Sequence, residues 1–327
     1  GLSRHQRAGC DDTATMPPLS IAQRRQWWRE TLGSPRFVCA PMVLQSELAF
    51  RMLVRRHGAA LCYSPMLPAA NFLASQADGP DAEHPVTGGP NTQASWFTTH
   101  AHDRPLIVQI GGSDPAEVLA AAQLVQERCD AIDLNFGCPQ RCAFLGGYGA
   151  YLMDDPARAK ELVETLVAGL RVPVTAKMRI LPSLAETVAF ARLLEGAGVA
   201  AVAVHGRRRE QRHHEGRADW DAIAAVKSAL RIPVLANGNV RTRRDAEACV
   251  RQTGADAVMS ASALLGNPRL FEGPPCADRE AGQPTTLRRL SMADEYLRVC
   301  ESYPEGALPR VISEHLFAGL IIYSDVS

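Results

Sequence analysis

A thiol, an ammonium and an imidazole stand out in this chain because each follows or ends an apolar run at the point where the sequence turns polar. Cys138 lies in Asn135-Phe136-Gly137-Cys138-Pro139, a Gly/Pro turn that holds the backbone tightly and offers the thiol as an acid or a nucleophile. Lys177 is one of only three lysines, with Lys160 and Lys227, in a chain that otherwise uses arginine for fixed positive charge. A compact ammonium suits a tight polar site, so Lys177 is a candidate fixed cation. His205 would add a ring N–H donor. The glycine-rich stretch at 146–150 lets backbone approach a bound molecule closely. Cys142, four residues after Cys138, lacks a CxxC partner, and the adjacent His213 and His214 beside Glu215 point apart; no metal is expected.

The elements that must carry these side chains follow from patterning. Eight short apolar runs recur at 37–40, 61–64, 106–110, 131–135, 173–178, 200–205, 232–237 and 256–260. Between most of them lie segments of helical period: 47–57, 115–128, 156–170, 184–196, 220–230 and 243–252. Asp114-Pro115 and Asp155-Pro156 supply N-caps and first-turn prolines. Near-continuous apolar strands alternating with helices predict an α/β fold, a (β/α)8 (TIM) barrel, with a short C-terminal helical appendage. A doubly wound sheet is the runner-up, disfavoured because no GxGxxG follows the first strand. In a barrel, strand ends gather at one face, so Pro41-Met42, Gln109, Asn135, Cys138, Lys177, His205, Asn237-Gly238-Asn239 and Ser260-Ala261 would share a pocket.

Composition bounds the rest. With 327 residues, 46% hydrophobic and 21% charged, the chain has material for one large barrel or two ordinary domains. Its 35 basic and 35 acidic side chains cancel, which excludes coating of nucleic acid by bulk charge. Nine scattered cysteines point to a reducing compartment rather than a disulfide framework. No run of about 18 apolar residues predicts a membrane span, and the Arg-rich first 30 residues lack a secretory h-region. A cytoplasmic monomer is expected, with organellar or nuclear location left open. The expected divisions are an N-terminal extension over 1–34, the barrel over 35–272, a linker over 273–289 and a helical segment over 290–327. Residues 66–105 are too long for a plain βα loop and predict a flap or an excursion over the barrel mouth.

Lys177 and His205, on neighbouring strands, suit an electron-rich ligand such as the N1–C2=O edge of a reduced flavin. The loops at 237–239 and after Ser260 fall where barrels bind phosphate, so an elongated phosphorylated cofactor fits.

The residues also carry a resemblance. APMV (40–43), QSELAFR (45–51), DLNFGCPQ (133–140), GGYGAYL (146–152), KMR (177–179), HGR (205–207), ANGN (236–239) and GNPRLF (266–271) are similar to the tRNA-dihydrouridine synthases, most closely the eukaryotic branch acting on D-loop uridines. The resemblance implies FMN-dependent reduction of uridine to 5,6-dihydrouridine in tRNA with NADPH as reductant. It implies Cys138 as general acid and Pro41, Met42 and Val43 lining the flavin. Gln109, Lys177 and His205 would bond the flavin ring, and Asn237, Gly238, Asn239, Ala261 and Ser262 would hold its phosphate. Asn135, Arg179 and Arg207 would bind the substrate, and Arg207, Arg208, Arg209 and Arg212 would form a basic surface for RNA. Residues 315–320 resemble the start of a tRNA-gripping helical domain, truncated here. Relatives usually carry a polar residue, often Asp, where Leu44 stands. Two alternatives stay open: a flavin-retaining tRNA-binding protein with weak or no catalysis, and a flavin barrel reductase of a small unsaturated metabolite.

Overall fold

The computed structural model of the chain describes residues 18–77, 96–211, 215–273 and 286–316. Its frame is a set of parallel strands: β1 (Phe37–Cys39), β2 (Leu61–Tyr63), β3 (Leu67–Pro68), β4 (Leu106–Gly111), β5 (Ala131–Phe136), β6 (Val174–Arg179), β7 (Val202–His205), β8 (Val234–Asn237) and β9 (Ala257–Ser260). Hydrogen bonding runs β2-β1-β9-β8-β7-β6-β5-β4-β3, and a further β2–β4 pairing closes eight of the strands into a barrel. The eight apolar runs are those eight strands. β3 is an extra two-residue rung outside the circle, paired to β4 alone.

The strands are buried on both faces because helices cover them outside and side chains fill them inside. The interior is narrow, so it takes small residues, Ala131, Ala201, Ala203 and Ala257, between larger ones such as Leu61, Ile107 and Leu235. The covering helices Pro115–Val125, Pro156–Gly169, Leu184–Ala197, Trp220–Ala229 and Arg243–Thr253 start where their caps dictate. Asp114 accepts from the backbone N–H groups of Ala116 and Glu117, and Ser183 with Glu186 and Thr242 with Asp245 form reciprocal capping boxes.

Two features add to the barrel. A helix over Ile21–Glu30 precedes β1, and Trp27, Trp28 and Leu32 pack against the interior residues, stoppering that end of the cylinder. Arg24 is buried there because its guanidinium donates to the carbonyls of Leu19, Glu195 and Val199. At the other end of the chain, the helix Thr286–Ser302 lies on Leu48–Arg56, followed by Pro309–Glu314. Glu47 joins these parts: its Oε1 accepts from Tyr296 Oη (2.8 Å), and its Oε2 lies 2.7 Å from His315 Nε2. Of the expected excursion at 66–105, Ala69–Ala77 is helical and Asp103 is locked to Arg51 and Arg55; its middle lies outside the described residues, as do most of the 273–289 stretch and residues after 316. Among the described residues no helix is long and apolar enough to cross a membrane.

Candidate active site

Register brings the expected residues to one rim. Asn135 on β5 is opposite Lys177 on β6, Arg179 is opposite His205 on β7, and His205 is opposite Asn237 on β8. β1 meets β9 beside them, where Ala40 N donates to Ser260 O (2.9 Å), so Pro41–Val43 and Ala261–Ser262 leave the barrel as neighbours.

The turn bearing Cys138 is fixed from several sides. Asn135 Oδ1 accepts from Gly137 N (2.9 Å) and Cys138 N (2.8 Å). Arg179 Nε donates to Gly137 O (2.8 Å), and Ala150 N donates to Cys138 O (3.0 Å). Gly149, at φ +68°, permits that closeness: a Cβ there would stand 2.6 Å from Cys138 O. Half-buried Cys138 therefore has a set direction. Burial pushes its thiol pKa above the usual 9.0, outweighing the Gln140 backbone N–H and the charges of Arg179 and Lys177. A thiol so held keeps its proton at neutral pH, which suits an acid better than a nucleophile.

The cations around it are costly. Burial, and then Arg179, lower the Lys177 ammonium from 10.5 to about 8, despite the nearby Asp133 carboxylate. Lys177 forms no salt bridge among the described residues. Burial, and then Lys177, Arg179 and Arg207, hold His205 well below its usual 6.5, so the ring is neutral at pH 7. A partly exposed rim in which Lys177, Arg179 and Arg207 outnumber the one nearby carboxylate, Asp133, is suited to a ligand that carries or develops negative charge.

The rim at β8 is shaped for close approach. Gly238 has φ +112°, and a Cβ there would meet Ala218 Cβ at 2.7 Å and His205 Cδ2 at 2.9 Å. Asn239, at φ +59°, uses Oδ1 to accept from Arg207 Nη2 (2.7 Å) and Ala218 N (2.6 Å). Asn237 Nδ2 donates to Met259 O (3.0 Å), so these two side chains shape the loop and leave backbone to face a ligand.

Four residues sit differently from their sequence expectation. Arg207 is no surface group: it is 3% exposed, with Nη2 on Gly216 O and Asn239 Oδ1 and Nη1 3.3 Å from His205 Nε2, and its buried Nε lacks a partner among the described residues. Arg209 pairs with Asp154 and Glu210, and Arg212 to His214 lie outside the described residues, so a run of arginines read as one basic face is divided. Arg179 spends Nε and Nη1 on the carbonyls of Gly137, Arg208 and Gln211. Gln109 is 1% exposed and joined to Asp133 and Asn135, beneath the rim. Asp133 itself had no sequence role, although a carboxylate inside the apolar run Ala-Ile-Asp-Leu was the available signal.

Beside the Cys138 turn a cavity of about 380 Å3 opens between Leu44, Met66, Tyr148 and Cys142, with Leu308 and Val311 of the C-terminal segment as its far wall. A groove of about 460 Å3 near Phe190 and Leu181 contains none of the expected site residues. Leu44, at φ +59°, is a non-glycine residue in left-handed backbone.

The comparisons with known proteins agree with this geometry. The model of the dihydrouridine synthase (Dus) family matches residues 38–308. The Rattus norvegicus protein named tRNA-dihydrouridine(16/17) synthase NAD(P)(+)-like is 43% identical over 290 residues, covering 88% of this chain and 60% of that protein. The Schizosaccharomyces pombe tRNA-dihydrouridine(16/17) synthase is 39% identical over 277 residues, 83% of this chain and 65% of its own length. A Mus musculus tRNA-dihydrouridine(20a/20b) synthase-like protein is 41% identical over 239 residues, 72% and 69% of the two chains. This chain spans 60% and 56% of the length of its rat and mouse (16/17)-type relatives. With the barrel closed, the thiol-bearing turn in place and the family's pattern running through all but the ends, the chain belongs to the dihydrouridine synthase family.

Proposed function

We propose that this chain reduces a uridine of the tRNA D-loop to 5,6-dihydrouridine with FMN and NADPH, using Cys138 as general acid. One observation carries the reading: strand register brings half-buried Lys177, which forms no salt bridge among the described residues, and His205 to the rim that carries the fixed Cys138 turn. The N1–C2=O edge of a flavin gains negative charge on reduction, which a Lys177 ammonium not in a salt bridge would neutralise. Lys177 and His205 would hold that edge, and Pro41, Met42 and Val43 would face the ring. The backbone of Asn237, Gly238 and Asn239 with Ala261 and Ser262 would take the phosphate. When bound, the reduced flavin supplies a hydride to C6 of the uracil, and NADPH restores it.

The protein's own task is then to hold the base and deliver one proton to C5. Cys138 Sγ carries that proton, and burial keeps it there until C5 gains electron density. Asn135 fixes the turn by its backbone contacts, and Arg179 secures it through Gly137. The neighbouring cavity of about 380 Å3, lined by Val43, Gln140, Cys142 and Tyr148 rather than by Cys138 itself, would admit the nucleoside next to the turn, its base leaving the stack to reach the thiol. The relatives' names support tRNA as substrate and NAD(P)H as reductant.

The test is dihydrouridine formed in tRNA by the purified protein with NADPH, measured by nucleoside mass spectrometry. Cys138→Ala is expected to keep the yellow flavin band while product formation falls by about 100-fold. Unchanged turnover in that variant removes Cys138 from the acid role.

A further inference from the structure

A continuous chain of hydrogen bonds runs from the barrel interior to the Cys138 turn, and its two ends, an acceptor-only carboxylate and two donor-only backbone N–H groups, agree on one direction. Asp133, buried on β5, accepts at Oδ1 from Thr175 Oγ1 (2.7 Å) and at Oδ2 from Gln109 Nε2 (2.9 Å). An ionised carboxylate only accepts, so Gln109 must turn its amino group toward Asp133 and its Oε1 toward Asn135. Gln109 Oε1 accepts from Asn135 Nδ2 (2.9 Å), which turns Asn135 Oδ1 to the loop. There that oxygen takes both backbone N–H groups of Gly137 and Cys138. Reversing either amide would set N–H against N–H or oxygen against oxygen along the chain. Burial raises the Asp133 carboxyl to about 6, with the bonds from Gln109 and Thr175 and the Lys177 charge opposing, so it is ionised at pH 7.

We propose that Asp133 is a positioning residue for the thiol: its carboxylate sets the sense of Gln109, whose oxygen then holds the Asn135 amino group and so braces the Asn135 oxygen on the acid-bearing turn. The inference rests on the reading of Cys138 as the acid and deepens it. Asp133 touches neither substrate nor flavin in this scheme; Gln109 and Asn135 transmit its polarity over two strands. Without it, Gln109 is free to invert and to set its amino group against Asn135 Nδ2, which would keep only Met66 Sδ (3.1 Å) as an acceptor, so Asn135 would be pushed off the two N–H groups its Oδ1 holds and the turn would loosen.

Hydrogen exchange of the Gly137 and Cys138 amides and peptide-resolved alkylation of Cys138 by iodoacetamide, in Asp133→Ala and Asp133→Asn, test the proposal. Asp133→Ala is expected to lose protection at 137–138, and to gain alkylation rate, by about tenfold, the scale of one or two hydrogen bonds. Exchange in Val234–Asn237, on the far strand, should stay as in the wild type. Asp133→Asn keeps an oxygen for Gln109 while Thr175 accepts from its amide, so it is expected to restore both readouts. With tRNA, kcat should fall in Asp133→Ala with KM unchanged, and recover in Asp133→Asn. Wild-type protection and alkylation in Asp133→Ala would overturn the proposal. If that variant does not fold, Gln109→Leu breaks the next link, and protection kept there would overturn it equally. Exchange and alkylation do not depend on the substrate. A wild-type protein that makes no dihydrouridine while its variants show these shifts therefore refutes the proposed reaction and leaves the positioning intact.

Discussion

At neutral pH, Lys177 stays protonated although burial has brought its pKa down to about 8, whereas the unfolded chain holds that proton up to about 10.5. Between those values the unfolded state binds more protons, so stability of the flavin-free protein should rise as pH climbs from about 8 to 10.5, and the full cost applies below 8. Lys177→Met is accordingly expected to raise the melting temperature of flavin-stripped protein by a few degrees and to abolish flavin retention, read by calorimetry and by absorbance. A lower melting temperature with flavin still bound would contradict a ligand-holding role. Leu44 offers a second trade at this scale. Left-handed backbone costs a leucine roughly 1–2 kcal/mol and an asparagine less, so Leu44→Asn should gain about 1 kcal/mol, seen as a higher urea midpoint at unchanged slope. The polar residue expected here from the family resemblance suits that conformation. Chemistry-bearing residues such as Cys138 and Lys177 were legible because strand ends advertise them. Arg207 and Asp133 were not, since an arginine run reads as surface and a lone strand carboxylate has no period to betray its partners.

Among the elements, the strands were the most legible, because a parallel strand covered on both faces has no polar side to interrupt its apolar run. Two helix starts followed from Asp-Pro, whereas the Ser183 and Thr242 caps emerged with the structure. The Ile21–Glu30 helix was not legible: its buried side chains are Arg24, Trp27 and Trp28, and Arg24 goes inside only because carbonyls at 195 and 199 await it. The same holds for Glu47, which caps Leu48–Arg56 through Phe50 N and also bonds Tyr296 and His315, some 250 residues away. Burial alone would raise its carboxyl, but His315 and the hydrogen bonds from His315, Tyr296 and backbone hold it below 4.5. Glu47→Ala leaves both partners unmatched and should cost about 2–4 kcal/mol. Limited proteolysis should then cut within 286–316 while the barrel resists; equal resistance throughout would show that apolar packing alone docks the segment.

Across the whole molecule, the barrel is not equally strong around its circumference. β5 and β6 share five register pairs and β4 and β5 share four, whereas β1–β2 and β2–β4 share two each. Amides of β5 and β6 should therefore exchange slowest and those of β1 and β2 faster, a gap measurable by native-state hydrogen exchange. Added FMN should narrow it; identical rates around the ring would contradict the reading. The weak arc also carries part of the proposed ring site, since Pro41–Val43 continue β1, while Lys177 and His205 on β6 and β7 would hold the ring from the stronger side. Such a protein resembles a bracelet whose fastening is sold separately. On the proposed reading, the prosthetic group would also be the clasp, and the loss of color would go with a loosened band.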